Sequence, residues 1–306
     1  MPDERSRRRE RRLTIVLVLN VAIVAGEVIG GLASRSLGLL ADAAHNLTDV
    51  AGVAFALVAV RWARRAPTER RSFGYHRGTV LAAQANATLI LAATALIGFE
   101  GIRRLSNPSE VKGGLVVAVA LVALLANTGA ALLLWEKRGD VNMRAALLHM
   151  ASDAAASFGV AVAGGVILAT GRFEWLDPAI SLAIGVIIGW QAIKLMGETT
   201  SLLLESTPDG LDVDGVTATM LAVPGVENVH DMHVWSLSSE VRALSAHVIL
   251  EGHPTLEEAQ VVGTAVKAAV SGPFSIAHAT LELECEGCVD DGTWCSMTDI
   301  RSSGTP

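Results

Sequence analysis

Two histidines and two aspartates in this chain repeat one spacing. His45 stands four residues before Asp49, and His149 four residues before Asp153. Positions i and i+4 of an α-helix share a face, so each pair presents an imidazole beside a carboxylate. Two such helices packed face to face bring four donors to one point. Two neutral imidazoles and two carboxylates balance a divalent cation to zero net charge, and nitrogen with oxygen donors in a tetrahedron suits zinc. Without a metal the same set carries two negative charges and takes up protons instead. Metal and protons then compete for one site, which is the physical basis of an exchange mechanism. A single H-x-x-x-D in a soluble helix is more often an exposed or hydrogen-bonded pair. Two copies inside apolar segments are a different matter, because an ionisable group at bilayer depth costs at least a few kcal/mol.

The elements that must position these residues are apolar. The chain has 306 residues, 51% of them hydrophobic, and a mean hydropathy of +0.44, above the usual range of a soluble protein. Six segments are long and apolar enough to span a bilayer: 13–34, 37–62, 80–102, 114–135, 145–170 and 176–196. His45 and Asp49 fall in the second, His149 and Asp153 in the fifth. Asp42, one turn before His45, either supports the donors or acts as a polar helix-cap residue. Glu27, Asn20, Asn86 and Asn127 read as interhelical hydrogen-bonding groups. Asp177 followed by Pro178 reads as the cap and first-turn proline of the sixth segment.

Charge sets the orientation. Arg7, Arg8, Arg9, Arg11 and Arg12 precede the first segment, and Arg61, Arg64, Arg65, Arg70, Arg71 and Arg77 follow the second. The positive-inside rule puts both termini in the cytoplasm, and Lys137, Arg138 and Arg144 agree. Arg103, Arg104 and Lys112 fall in the predicted outer loop and speak against it. The apolar stretch after the arginine-rich start is too long for a cleaved leader and contains Glu27, so it reads as a retained helix. The expected organisation is a basic N-terminus (1–12), a membrane domain (13–204), a cytoplasmic domain (205–295) and a tail (296–306). Acidic residues gather in the second half, within a net charge of −7.

From about residue 205 the apolar runs shorten. Residues 213–221 read as a helix, 226–237 and 241–251 as strands, and 276–284 as a third strand. Thr255 and Glu258 form a T-x-x-E capping box opening a helix that runs to about residue 270. The order predicts a small α+β domain with helices on one sheet face.

Residues 36–50 (SLGLLADAAHNLTDV) resemble the second-helix signature of the cation diffusion facilitator family, and His149 with Asp153 its fifth-helix counterpart. Phe73-Gly74-Tyr75-His76-Arg77 is similar to the start of that family's third helix, and residues 230–237 to its first soluble strand. The likeness runs from Glu27 to Glu284. It implies six transmembrane helices, a ferredoxin-like cytoplasmic domain, a homodimer in the cell's inner membrane, and efflux of zinc against protons by alternating access. His45, Asp49, His149 and Asp153 correspond to the transport site. Arg77 is then expected to approach Glu205. Two departures stand out. Gly78 and Thr79 replace an acidic residue common after this turn, and Thr68, Arg71 and Tyr75 stand where some bacterial members carry loop metal ligands. His76 resembles the loop histidine of animal vesicular zinc transporters, and reads equally as a surface residue beside Arg77.

In the first soluble strand, period-two alternation puts His230 on one face and His233 on the other. His230, His247 and Glu284 are candidates to meet at a sheet edge, and the resemblance supports them as a regulatory zinc site. Cys285 and Cys288 form a C-x-x-C pair that reads equally as free surface thiols or as half of a zinc site completed by two further ligands, from Cys295, His278 or a partner subunit's N-terminus. The rival classes fare worse. An intramembrane zinc hydrolase needs an open coordination position and a carboxylate base, and no H-E-x-x-H is present. A non-transporting metal sensor differs only in that metal never crosses the bilayer. Nucleic-acid binding rests on the arginine-rich start alone, which topology explains.

Overall fold

The computed structural model describes residues 4–63, 65, 67–134, 141–238 and 241–286. Side chains are described from residue 18 onward, except at 49, 53–60, 62–63, 133–134 and 141–149. The chain divides into two compact units, Met1–Val60 with Ala82–Gly197 and Arg61–Leu81 with Glu198–Pro306.

Six long helices come first: α1 (Glu4–Ser34), α2 (Leu37–Ala63), α3 (Gly78–Ser106), α4 (Gly113–Leu134), α5 (Val141–Thr170) and α6 (Leu176–Leu203). Four hold a described stretch long and apolar enough to cross a membrane: Gly78–Ser106, Gly113–Leu132, Met150–Thr170 and Leu176–Leu203. The described part of α1, Val18–Ser34, is apolar but shorter. α1, α5 and α6 outrun the predicted apolar segments at 4–12, 141–144 and 197–203, because hydropathy marks the length in hydrocarbon while hydrogen bonding continues beyond it.

Burial in this bundle is inverted relative to a soluble protein. Leu96, Phe99, Val186 and Trp190 are each more than 70% exposed, whereas Glu27, Asp42, Asn46, Asn127 and Asp153 are 1% exposed or less. Lipid is the solvent that reverses the preference, and the chain is a multi-pass membrane protein. Among the described residues the helices pack through Leu39, Val116, Ala120, Val160 and Ile188, and small residues let backbones approach. A Cβ on Gly113 would lie 2.8 Å from the Leu168 backbone nitrogen, and one on Gly164 2.8 Å from Val116.

Asp177 departs from its predicted role. It lies within the first turn of α6, and its carboxylate caps a different helix, accepting from Leu37 N (2.7 Å), Gly38 N (3.2 Å) and the Ser36 hydroxyl. Ser36 in turn accepts from Leu39 N at 3.1 Å. The orphan N–H groups at the start of α2 are thus satisfied across the bundle, which anchors the helix carrying His45.

The second unit contains α7 (Val213–Leu221), β1 (Val226–Ser236), β2 (Arg242–Leu250), α8 (Leu256–Phe274) and β3 (Ile276–Glu284). β1 pairs antiparallel with β2, and β2 pairs parallel with β3, giving the order β1-β2-β3. Val216, Met220, Val266 and Val270 of the helices bury against Leu244, Ala246, Val248 and Leu250 of the sheet. The expected capping box is present: Thr255 N donates to Glu258 Oε2 (2.8 Å) and Glu258 N to Thr255 Oγ1 (3.4 Å). The Thr255 backbone N–H, and after it the Thr255 hydroxyl at 2.9 Å, donate to the Glu258 carboxyl and hold it below its ordinary range. α8 continues past the predicted residue 270 to Phe274, and Ser275 in the left-handed region closes it (φ 56°).

Candidate metal centre

Within the bundle, His45 of α2 and Asp153 of α5 meet. His45 Nε2 lies 3.3 Å from Asp153 Oδ1, with the aspartate fully buried and the histidine side chain 14% exposed. Donors about 2.0–2.1 Å from a tetrahedral zinc stand roughly 3.3 Å from each other, so this spacing fits two ligands of one ion and equally a direct imidazole–carboxylate contact. A cavity of about 420 Å³ reaches His45 and runs between α5 and α6 past Ser152, Ala156, Ile184 and Gln191. Asp49 and His149 occupy the expected positions in the backbones of α2 and α5, and their side chains lie outside the described residues.

Two further carboxyls adjoin this pair. Ser157 Oγ of α5 donates to Asp42 Oδ2 at 2.8 Å, and Asn46 Nδ2 of α2 donates to Glu27 Oε2 of α1 at 2.9 Å. Asp42 is therefore not a helix cap. These contacts tie α1, α2 and α5 together on both sides of His45. Asn46 and Ser157 had no signal in the sequence beyond being polar within apolar helices.

In the sheet unit, His230, His247 and Glu284 come together. His247 Nδ1 is 2.8 Å from Glu284 Oε1, His230 Nε2 is 3.5 Å from Glu284 Oε2, and the two rings stand 5.2 Å apart. One donor atom from each lies within 4.8 Å of the other two. A bulge corrects the expected alternation. His230 pairs with His247 but the next pair is His233 with Ser245, so β1 spends one more residue than β2, and Asp231 takes φ 45°. His230 and His233 consequently share a sheet face. Asp231 stands between His233 (3.3 Å) and His247 (3.6 Å), an acidic group that an unbroken period-two reading misses. Glu282 adds a contact of 3.4 Å to His247.

Cys285 follows β3 as an exposed free thiol, and Cys288 and Cys295 lie outside the described residues. His278 cannot join Cys285 within one chain. It stands near the opposite end of β3, roughly 20 Å along an extended strand, with its ring against Phe73 at 5.5 Å.

The loop before α3 holds no metal-ligand cluster among the described residues. Thr68 and Arg71 pair as a backbone bridge, and Arg71 Nη1 donates to the Tyr75 hydroxyl at 2.6 Å with its guanidinium 4.5 Å from the ring. Arg77 Nη2 donates to Glu205 Oε1 at 2.5 Å, the contact expected from the family likeness.

Comparison with known proteins agrees along nearly the whole chain. The profile of the cation efflux transmembrane domain matches residues 13–204, and that of the cation efflux protein cytoplasmic domain matches residues 208–286. The chain is 36% identical over 282 residues to the zinc transporter ZitB of Escherichia coli (strain K12), covering 91% of this chain and 88% of that protein. It is 34% identical over 282 residues, with the same coverage, to the metal cation efflux system protein CzcD of Cupriavidus metallidurans. Identity to the cadmium, cobalt and zinc/H(+)-K(+) antiporter of Bacillus subtilis (strain 168) is 29% over 278 residues, 89% of each chain. With a polar centre buried in a lipid-facing bundle, an α+β domain after it in sequence and both profiles in order, the chain belongs to the cation diffusion facilitator family of membrane cation-efflux proteins.

Proposed function

We propose that this protein exports zinc from the cytoplasm in exchange for protons, by alternating access around His45, Asp49, His149 and Asp153. The observation that carries this reading is the 3.3 Å approach of His45 to Asp153, contributed by the two helices on which the H-x-x-x-D spacing repeats. Two imidazoles and two carboxylates neutralise Zn²⁺, whereas the empty set holds excess negative charge in a low dielectric and draws protons. A relative named as a zinc transporter, and one named as a cadmium, cobalt and zinc/H(+)-K(+) antiporter, support both a divalent-metal cargo and the coupling.

Both termini lie in the cytoplasm on this reading, following the arginines before α1 and after α2. The basic N-terminus is residues 1–12, the membrane domain 13–204, the cytoplasmic domain 205–295 and the tail 296–306. The cytoplasmic domain joins two copies into a homodimer. His230, His247 and Glu284 bind a regulatory zinc there, and Cys285 with Cys288 contributes a further site when a partner subunit supplies the remaining ligands. Metal held at such a junction biases which way the membrane site faces. The substrate is a metal ion, and no bond is made or broken in it beyond its coordination.

The test is metal uptake into proteoliposomes containing an interior metal-sensitive dye, with zinc, cobalt, cadmium and manganese offered in turn under imposed pH gradients of either sign. Zinc accumulation that rises when protons are concentrated inside the vesicle supports the reading. Zinc flux indifferent to the gradient removes proton exchange, and absence of flux with metal still bound leaves a sensor.

A further inference from the structure

The bundle buries a second acidic pair that the proposed transport site does not use. Glu27 is 1% exposed and Asp42 fully buried, and Asn46, which bonds Glu27, stands one turn after Asp42 on the same face of α2, which sets the two carboxyls beside each other. Each has one neutral donor, Asn46 for Glu27 and Ser157 for Asp42. The remaining oxygens, Glu27 Oε1 and Asp42 Oδ1, have no hydrogen-bond partner. On the α4 side Glu27 faces a groove of about 330 Å³ whose other lining residues are leucine, isoleucine, valine, alanine and glycine. The charged and titratable groups acting on the pair are Asp153 from α5 and His45 from α2, one turn beyond Asp42. No lysine or arginine pairs with either carboxyl among the described residues.

Two neighbouring carboxylates inside an apolar bundle cannot both be ionised, since neither solvent nor a cation offsets their repulsion. The pair therefore holds one proton between its two members. An amide in place of Glu27 would link α1 to α2 equally well, so the helix contact alone does not account for an acid. Metal arriving at His45 and Asp153 places two positive charges about one helical turn away, which favours loss of that proton. By reciprocity, loss of the proton strengthens metal binding.

We propose that Glu27 and Asp42 form a proton-holding pair, distinct from the metal ligands, that releases one proton when metal enters the bundle and regains it when metal leaves. The proposal rests on the proton-exchange reading above and names where part of the exchanged charge resides. The balance is simple. A singly protonated pair of charge −1 becomes a pair of charge −2 plus a free proton, and the incoming cation offsets the difference.

The experiment uses the full chain in lipid and zinc as the probe. In wild type, the infrared difference spectrum on zinc addition should show loss of a protonated-carboxyl C=O band that shifts in heavy water. Glu27→Gln and Asp42→Asn should each lack that loss. Both should keep zinc-for-zinc exchange across the vesicle membrane while releasing about one proton fewer per chain on binding zinc. A wild-type spectrum with no zinc-dependent protonated carboxyl overturns the proposal, however the variants fold. Undiminished proton release in both variants overturns it too, while leaving proton exchange intact. Wild type that releases no protons on zinc binding sinks the exchange reading itself, and this one with it.

Discussion

His45 Nε2 and Asp153 Oδ1 face each other at 3.3 Å from two helices more than a hundred residues apart in sequence. Asp153→Ala removes one of the two negative charges that neutralise a bound divalent ion. The loaded site then keeps a net charge of +1 at membrane depth, which costs at least a few kcal/mol. Zinc flux should fall to that of protein-free vesicles, and Asp49→Ala should behave alike, while both variants insert and dimerise as wild type does. Near-normal flux at matched protein levels would remove these residues from the site.

Protons and zinc compete for the imidazoles on the proposed mechanism, since a proton on the ligating nitrogen excludes the metal. Zinc binding to the membrane site should therefore weaken as the pH on the binding side falls from ~8 to ~5.5. Isothermal titration in a background carrying His230→Ala, His247→Ala, Cys285→Ser and Cys288→Ser isolates that site. A flat affinity across the range contradicts competition.

What could be read from sequence alone divides along a physical line. Hydropathy located all six helices, because the bilayer imposes one length on every span, and Thr255 with Glu258 announced the start of α8 through local capping chemistry. The misreadings were tertiary. Asp177 looked like the cap of its own helix and instead caps α2, a choice fixed by where the two helices lie. His230 and His233 looked opposed because alternation assumes an unbroken ladder, and the extra residue at Asp231 rotates His233 onto the same face. Glu27 read as an interhelical hydrogen-bonding group and is one, through Asn46 of α2, but its spacing from Asp42 gives no sign that the two carboxyls are neighbours.

The Arg77–Glu205 pair links the start of α3 to the residues after α6, with side chains 38% and 58% exposed. Pairs this exposed contribute roughly 0.2–1 kcal/mol, so Arg77→Ala should leave the melting temperature within a few degrees of wild type. Its effect should appear in transport rate or dimer integrity. The exchange Arg77→Glu with Glu205→Arg should recover what either single reversal loses. If both reversals transport at the wild-type rate and stay dimeric, the pair has no coupling role.

The sheet cluster makes a separate prediction. Zinc binding only the folded domain stabilises it by RT ln(1 + [L]/Kd), about 2.7 kcal/mol at a hundredfold excess over Kd. In a background lacking His45 and Asp153, added zinc should raise the unfolding temperature of the full chain, and chelation should reverse the rise. His247→Ala should abolish the increment, because His247 is the residue that contacts Glu284, Asp231 and Glu282 together. An unchanged increment in that variant would place any bound zinc elsewhere.

The last prediction concerns which metal the membrane site accepts. Zinc takes a compact four-donor shell with nitrogen about 2.0–2.1 Å away, and the His45–Asp153 spacing of 3.3 Å fits that radius. Cadmium is larger and tolerates longer bonds and more oxygen contacts. An imidazole offers one nitrogen, whereas a carboxylate binds through one oxygen or two, so His45→Asp enlarges the range of shells available. The substitution also adds a negative charge, leaving a zinc-loaded site at −1 unless a proton remains bound, so the proton count per zinc should change as well. The cavity bordering His45 leaves room for a wider shell on the α6 side. Cadmium flux should therefore appear in the variant and be absent from wild type, measured beside zinc in the same vesicles. Wild type that carries cadmium as readily as zinc, or a variant that still transports zinc alone, shows that His45 does not set the choice. A variant inactive toward both metals shows that an aspartate at this position is too short to reach the ion, which also rules out the exchange of selectivity predicted here.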